Sequence, residues 1–233
     1  INIGDTVTVR KAGDIIPEVL CCNEKHSDGN FVYPTVCPSC GEKVVREDDE
    51  AAIRCINPEC PAQLLRNLIH FCSRDAMDIE GLGPAIIETF VNEIITKTID
   101  IYNLDKDKIA ALDGFKDTSA GNIISSVEKS KENDLSKLIF ALGIRHIGSK
   151  AAKLLADHFK NIDNIMFATV DAILEIDGFG QIMAESVYDF FRNESAKELV
   201  AELKAAGCYV VRHGGEHDVW FSPKTGKKFS IPR

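Results

Sequence analysis

Long apolar runs are missing from this chain: a charged residue interrupts each hydrophobic stretch after a few positions, far short of the roughly 20 needed to span a bilayer. No membrane segment is therefore expected. A methionine-led basic leader is missing as well, since the first residue is Ile1, and a cytoplasmic setting is the expectation that follows. Positive charge is scarce, with 27 Lys and Arg against 36 Asp and Glu and a formal net charge of −9. That balance excludes nucleic-acid binding through a broadly basic surface. Cysteine is not scarce, but Cys21, Cys22, Cys72 and Cys208 fall at no framework spacing, which argues against a disulfide scaffold. What remains is a globular composition, 45% hydrophobic and 27% charged over 233 residues, enough for two or three compact modules.

The other four cysteines form two close pairs, Cys37-Pro-Ser-Cys40-Gly and Cys55-Ile-Asn-Pro-Glu-Cys60-Pro-Ala-Gln. Two pairs at that separation suit one tetrahedral zinc ion, and four thiolates leave it no open position for water or substrate. A structural site is expected, with Cys37, Cys40, Cys55 and Cys60 as ligands; two disulfides are the alternative. Pro38 and Gly41 fit the tight turn of a first pair. Between Cys37 and Cys60 stand three Lys/Arg against six Asp/Glu, which suits a spacer and not a base-reading finger.

Beyond the cysteines, four segments share one pattern: Ile79-Glu-Gly-Leu82-Gly-Pro, Leu112-Asp-Gly-Phe115-Lys-Asp, Ile144-Arg-His-Ile147-Gly-Ser and Ile176-Asp-Gly-Phe179-Gly-Gln. The apolar residues Leu82, Phe115, Ile147 and Phe179 lie 33, 32 and 32 positions apart. A sustained period predicts a repeat architecture, here four units of helix, glycine-containing hairpin and helix, with the apolar residue tucked between the helices. Five positions further come Ile87, Ala120, Ala152 and Ala184, small where helices cross closely. Pro84 suits a first helical turn, and Ser149 is expected to be an N-cap.

This array answers the charge problem, because backbone N–H groups at helix N-termini hold phosphate through fixed dipoles with no formal charge. The units are expected to contribute unequally: Lys116 replaces a glycine in the second and His146 in the third. The third also carries Arg145, Lys150 and Lys153 around Gly148 and should grip most firmly. Hairpins that only close the turns of a helical bundle are the alternative.

Before the cysteines, Gly4-Asp-Thr-Val-Thr-Val-Arg10-Lys11-Ala-Gly13-Asp14-Ile-Ile-Pro17-Glu-Val reads as two strands around a Gly-Asp turn. The alternation of Thr6 to Arg10 asks for strand partners, so the chain is expected to be part of something longer.

Taken in order, Arg10-Lys11-Ala12-Gly13-Asp14-Ile15-Ile16-Pro17, the two cysteine motifs with Arg54 and Gln63, Gly81-Leu-Gly83, and Phe140-Ala-Leu-Gly143-Ile-Arg145-His146-Ile-Gly148 resemble bacterial NAD-dependent DNA ligase over residues 1 to about 193. The resemblance implies a mainly α fold with small β parts: the end of an OB-fold over 1–30, a four-cysteine zinc finger over 31–63, and a four-unit helix-hairpin-helix domain over 64–193 that helps encircle nicked duplex DNA. It places Gly81, Gly83, Gly114, Gly148, Gly178 and Gly180 on the DNA-facing hairpins and makes the zinc lobe a connector in a clamp. The family seals nicks in replication and repair after attaching AMP to a lysine of a Lys-x-Asp-Gly motif. No such motif occurs here; the Asp-Gly pairs at 28, 113 and 177 have His26, Ala111 and Glu175 at the lysine position. NAD and Mg2+ would then serve the parent enzyme through domains outside these residues. The fragment would bind duplex as a monomer, weakly and with strong salt dependence.

Residues 194–233 depart from the family's expected linker and BRCT domain and read as a short αβββ module, with Gly207 ending an amphipathic helix that carries Leu199 and Leu203. Gly214-Gly215-Glu-His217, Trp220, Lys224-Thr-Gly226-Lys-Lys and Ile231-Pro232-Arg233 resemble the HicA-type toxins, RNA-cleaving proteins in which the histidine is catalytic. That makes His217 a candidate general acid or base and RNA a candidate partner, consistent with five Lys/Arg against two Asp/Glu over 208–233. A zinc-stabilised helical adaptor that binds protein is the remaining alternative.

Overall fold

The alternation of Thr6 to Arg10 becomes β1 (Thr6–Ala12), which runs antiparallel to β2 (Ile16–Glu24) in a register from Ala12↔Ile16 to Thr6↔Glu24. The computed structural model describes all residues except 14, 27–28, 30–31, 47–51, 58–59, 209, 214–216, 223–226 and 233, and from 210 onward the backbone alone. By compactness it divides into two units, Ile1–Cys60 and Pro61–Arg233. In the first, Gly13 (φ 63°) turns the hairpin; Asp14 lies outside the described residues. Ile15, Ile16, Val9, Val19 and Leu20 are exposed, and a lone two-stranded hairpin is marginal in water. A second pair, β3 (Val44–Arg46) and β4 (Ile53–Cys55), is antiparallel with Val44 opposite Cys55.

The second unit is helical: α1 (Pro61–Cys72), α2 (Pro84–Glu93), a 3-10 turn (Thr98–Asn103), α3 (Lys106–Ala110), α4 (Asp117–Ser130), α5 (Leu135–Ala141), α6 (Ser149–Phe159), α7 (Ile162–Phe167), α8 (Val170–Leu174), α9 (Gln181–Phe190) and α10 (Glu194–Ala205). None of the described helices is long and apolar enough to cross a membrane. The four hairpins join α1 to α2, α3 to α4, α5 to α6 and α8 to α9, the first by a longer connection (73–83) than the others. Two apolar cores result. One gathers Phe71, Leu82, Ile87, Phe90, Ile101 and Ile123 from units one and two; the other gathers Ile139, Ile147, Leu155, Phe179 and Val187 from units three and four. Full burial of such a side chain contributes about 1.5–3 kcal/mol, which is why a unit built of many short helices holds together without long ones.

The C-terminal tract has the expected element order, with β5 (Val210–His213), β6 (His217–Ser222) and β7 (Lys227–Pro232) forming an antiparallel sheet in sequence order. Its helix, however, is part of the helical body. α10 buries Val200 in one core and Leu203 in the other, because its apolar stripe has hairpin units to pack on. Gly207 ends it at φ 96°, with the Cys208 N–H donating to the Leu203 carbonyl at 3.0 Å.

Candidate metal centre and nucleic-acid interface

In the first unit the cysteine pairs converge. Gly41 adopts φ 75°, and its N–H closes the first turn on the Cys37 carbonyl at 2.8 Å. A side chain with a Cβ rarely takes that conformation, so the Cys-x-x-Cys-Gly order is set by this turn. Cys55 ends β4, and the Cys60 N–H donates to the Asn57 carbonyl at 3.2 Å. The four Sγ atoms lie within 4.8 Å of one another, with Cys37–Cys60 at 3.8 Å and Cys40–Cys55 at 3.5 Å. A tetrahedron with Zn–S bonds of about 2.3 Å has S–S edges of about 3.8 Å, whereas a disulfide needs about 2.0 Å. The residues fit zinc and not two disulfides.

Their acidities agree with a site that needs a cation. Backbone N–H groups of Cys40 and then Ser39 hold the Cys37 thiol below its ordinary value. At Cys55 the Asn57 N–H also lowers the value, but removal from water and the neighbouring sulfurs Cys40 and Cys37 outweigh it and push the thiol up to about 12. Thiolates packed this closely oppose one another, and a divalent ion relieves that opposition.

The four hairpins of the second unit share one geometry. The residue two before the helix N-cap takes a left-handed conformation in every case, Gly81 (φ 88°), Gly114 (83°), His146 (63°) and Gly178 (89°). A four-residue turn closes each: the N–H groups of Leu82, Phe115, Ile147 and Phe179 donate to the carbonyls of Ile79, Leu112, Ile144 and Ile176 at 3.0–3.3 Å. Leu82, Ile147 and Phe179 are buried and Phe115 is half-buried. The residues five further on, Ile87, Ala120, Ala152 and Ala184, are buried in the helix crossings, the three alanines completely. While the apolar centre points in, Gly81, Gly83, Gly114, Gly148, Gly178 and Gly180 are all exposed, as are Arg145, His146, Lys150 and Lys153.

Ser149 is not the N-cap expected from its residue type. The cap is Gly148, and Ser149 is the first helical residue; the register is set by the hairpin turn, which puts Gly83, Lys116, Gly148 and Gly180 at equivalent cap positions. That shared position, one past each hairpin apolar residue, was the sequence signal for it. The contrast with the other helices is informative. α3, α5, α7, α8 and α10 are each capped by a side chain, from Asp105, Asp134, Asn161, Thr169 and Asn193. α2, α6 and α9 have no side-chain cap and no acidic residue in the first turn. Their cap glycines have ordinary φ values of −77°, −83° and −99°, and a Cβ built on any of them meets nothing within 4 Å. Nothing inside the chain requires glycine there.

The second unit differs. Asp117 opens α4, and the Lys116 N–H is committed to Ser119 Oγ at 2.9 Å. Gly114 therefore leads into a helix end that already holds an acid, itself paired with Lys106 at 2.7 Å.

His217 begins β6 opposite Pro232; its side chain lies outside what the structure describes, as do residues 214–216 and 223–226 and Arg233.

Comparison with known proteins follows the same division. The NAD-dependent DNA ligase C4 zinc finger domain matches residues 36–62, a SAM-like helix-hairpin-helix tandem matches 73–129, and a helix-hairpin-helix motif matches 137–200. The chain is 42% identical over 236 residues to the DNA ligase of Anoxybacillus flavithermus, covering 99% of this chain and 35% of that protein. It is 49% identical over 220 residues to the DNA ligase of Acetivibrio thermocellus (92% and 33%), and 47% identical over 208 residues to that of Oenococcus oeni (88% and 30%). It thus spans about a third of the length of the curated relatives it matches. The toxin resemblance of residues 195–233 finds no support, since the match to the Anoxybacillus ligase takes in nearly the whole chain; the adaptor alternative finds none either. With its four-cysteine finger and its paired hairpin tandems, the chain is similar to the C-terminal half of NAD-dependent DNA ligases.

Proposed function

We propose that this chain is the duplex-holding segment of a ligase that seals nicks in DNA, and that it holds the sugar-phosphate backbone through the N-termini of α2, α6 and α9. The observation that carries this reading is the pattern of caps. Five helices have side-chain caps, while the three that follow glycine hairpins leave their first N–H groups open behind a glycine whose conformation and surroundings do not demand it. A surface approached closely by a phosphate needs both features. Arg145, Lys150 and Lys153 add charge beside Gly148, making the third hairpin the firmest contact, and the second the weakest. Backbone contacts of this kind carry no base information, which suits an enzyme that must act at any nick. Zinc holds the finger's shape and supplies no chemistry. Adenylation, with NAD and Mg2+, belongs to residues outside this stretch, because no Lys-x-Asp-Gly is present; the chain alone should bind and not ligate.

The test is fluorescence anisotropy of a labelled nicked duplex titrated with the zinc-loaded chain across a salt series. Saturable binding at low salt, with log affinity falling linearly against log salt, is expected, together with equal affinity for duplexes of unrelated sequence. Absence of binding at low salt contradicts the proposal.

A further inference from the structure

Each hairpin tandem has its own core, the two touching through Phe140 and Leu142, and one helix that belongs to no hairpin reaches into both. α10 places Val200 among residues of units three and four and Leu203, one turn on, among those of units one and two. Its polar positions repeat the arrangement. Glu202 pairs with Lys97, at the start of the 3-10 turn in the first tandem, and Lys204 Nζ lies 2.6 Å from Asp163 Oδ1 on α7 in the second. Beyond the helix, Cys208 is buried in the first core with Tyr102, whose hydroxyl lies 3.1 Å from Ser130 Oγ. α5 also faces both cores, with Leu138 and Ala141 on one side and Leu135 and Ile139 on the other, but it is itself the first helix of unit three.

We propose that α10 is a brace fixing the two tandems to each other, so that hairpins from both meet one duplex at a set spacing, with Val200, Glu202, Leu203 and Lys204 as positioning residues. The proposal rests on the duplex-holding reading above. Two modules held at a fixed spacing offer the second contact at high effective concentration once the first is made, and lose much of that advantage when the spacing is no longer held.

The test reverses both ion pairs at constant net charge. Glu202→Lys with Lys204→Glu sets like charges against Lys97 and Asp163 at once. Affinity is measured for a duplex long enough to meet both tandems and for a short one that accommodates a single tandem. The long duplex should bind about tenfold more weakly and the short one within twofold of the original. Adding Lys97→Glu and Asp163→Lys should restore the difference. General unfolding would weaken both duplexes together; that result, an unchanged long-duplex affinity, or failure of the fourfold variant to restore binding would each overturn the brace. If the original chain binds neither duplex, the DNA reading falls by itself, and the brace is judged by melting: a single transition that splits in two on reversal supports it, and a single transition in both proteins overturns it.

Discussion

Replacing Gly83, Gly148 and Gly180 together by serine should move stability and DNA affinity in opposite directions. Each glycine sits at a helix N-cap with φ between −77° and −99°, a conformation open to any residue, and each has free space where a Cβ would go. Serine is a better N-cap than glycine by a few tenths of a kcal/mol, so three substitutions should add roughly 0.5–1 kcal/mol to folding. The same hydroxyls would occupy the N–H groups that the account reserves for phosphate, and the new Cβ atoms would hold the backbone away from it. A hydrogen bond to a charged group is worth about 1.5–3 kcal/mol. Losing even half of that at each of three hairpins amounts to a fall in affinity of about a hundredfold, or about fivefold for a single site. Denaturant unfolding monitored by circular dichroism gives the first quantity and anisotropy with a labelled nicked duplex gives the second. A triple variant that binds as tightly as the original, with stability unchanged or raised, would refute the assignment of these helix ends to phosphate.

Chelation of zinc, or Cys37→Ser, should unfold the finger over 35–60 and leave the helical unit intact, since Ile1–Cys60 and Pro61–Arg233 are separate compact units; one zinc released per chain with unchanged helical ellipticity is the expected measurement. Burial pushes the Cys72 thiol from 9.0 to about 12 and Cys208 to about 11, so both are neutral at pH 8 and should resist iodoacetamide while exposed Cys21 reacts. Because these values are raised by folding, the stability they confer is complete below about pH 9 and lost as pH rises through 9 to 12; denaturant midpoints should fall over that window, and less steeply in Cys72→Ala. Ala152 is fully buried at a helix crossing, and Ala152→Leu should cost about 1–3 kcal/mol by overpacking, read as a lower unfolding midpoint.

The zinc site and the hairpin array were legible because each depends on local spacing. Gly41 and the first cysteine pair are set by one turn, and the 32–33 residue period is set by one backbone geometry repeated four times. Leu82, Ile147 and Phe179 pointing inward, and the alanines five further on, followed from that geometry. The cap at Ser149 was misplaced for the opposite reason: serine's ordinary preference is local, but the register is imposed by the left-handed residue at His146 and the turn it makes. The shared helix α10 was also illegible, because an amphipathic stripe of Leu199, Val200 and Leu203 says that a face is buried and not which elements bury it. Its apolar contacts are long-range, and no period or motif announces them. The inequality of the second hairpin was legible from Lys116, while its cause, the Lys116 N–H held by Ser119 and Asp117 opening the helix, needed coordinates.

On this reading, backbone amides at three hairpin helices take the phosphates. Amide chemical shifts of the zinc-loaded, nitrogen-15-labelled chain, followed as nicked duplex is added, test it most directly. The largest shifts are expected at Gly83, Ala85 and Ile86 (Pro84 has no N–H), at 148–151 and at 180–183, strongest around Gly148, with much smaller shifts at 116–119. Shifts confined to lysine- and arginine-rich surface away from these helix starts, or equally large at 116–119, would contradict it.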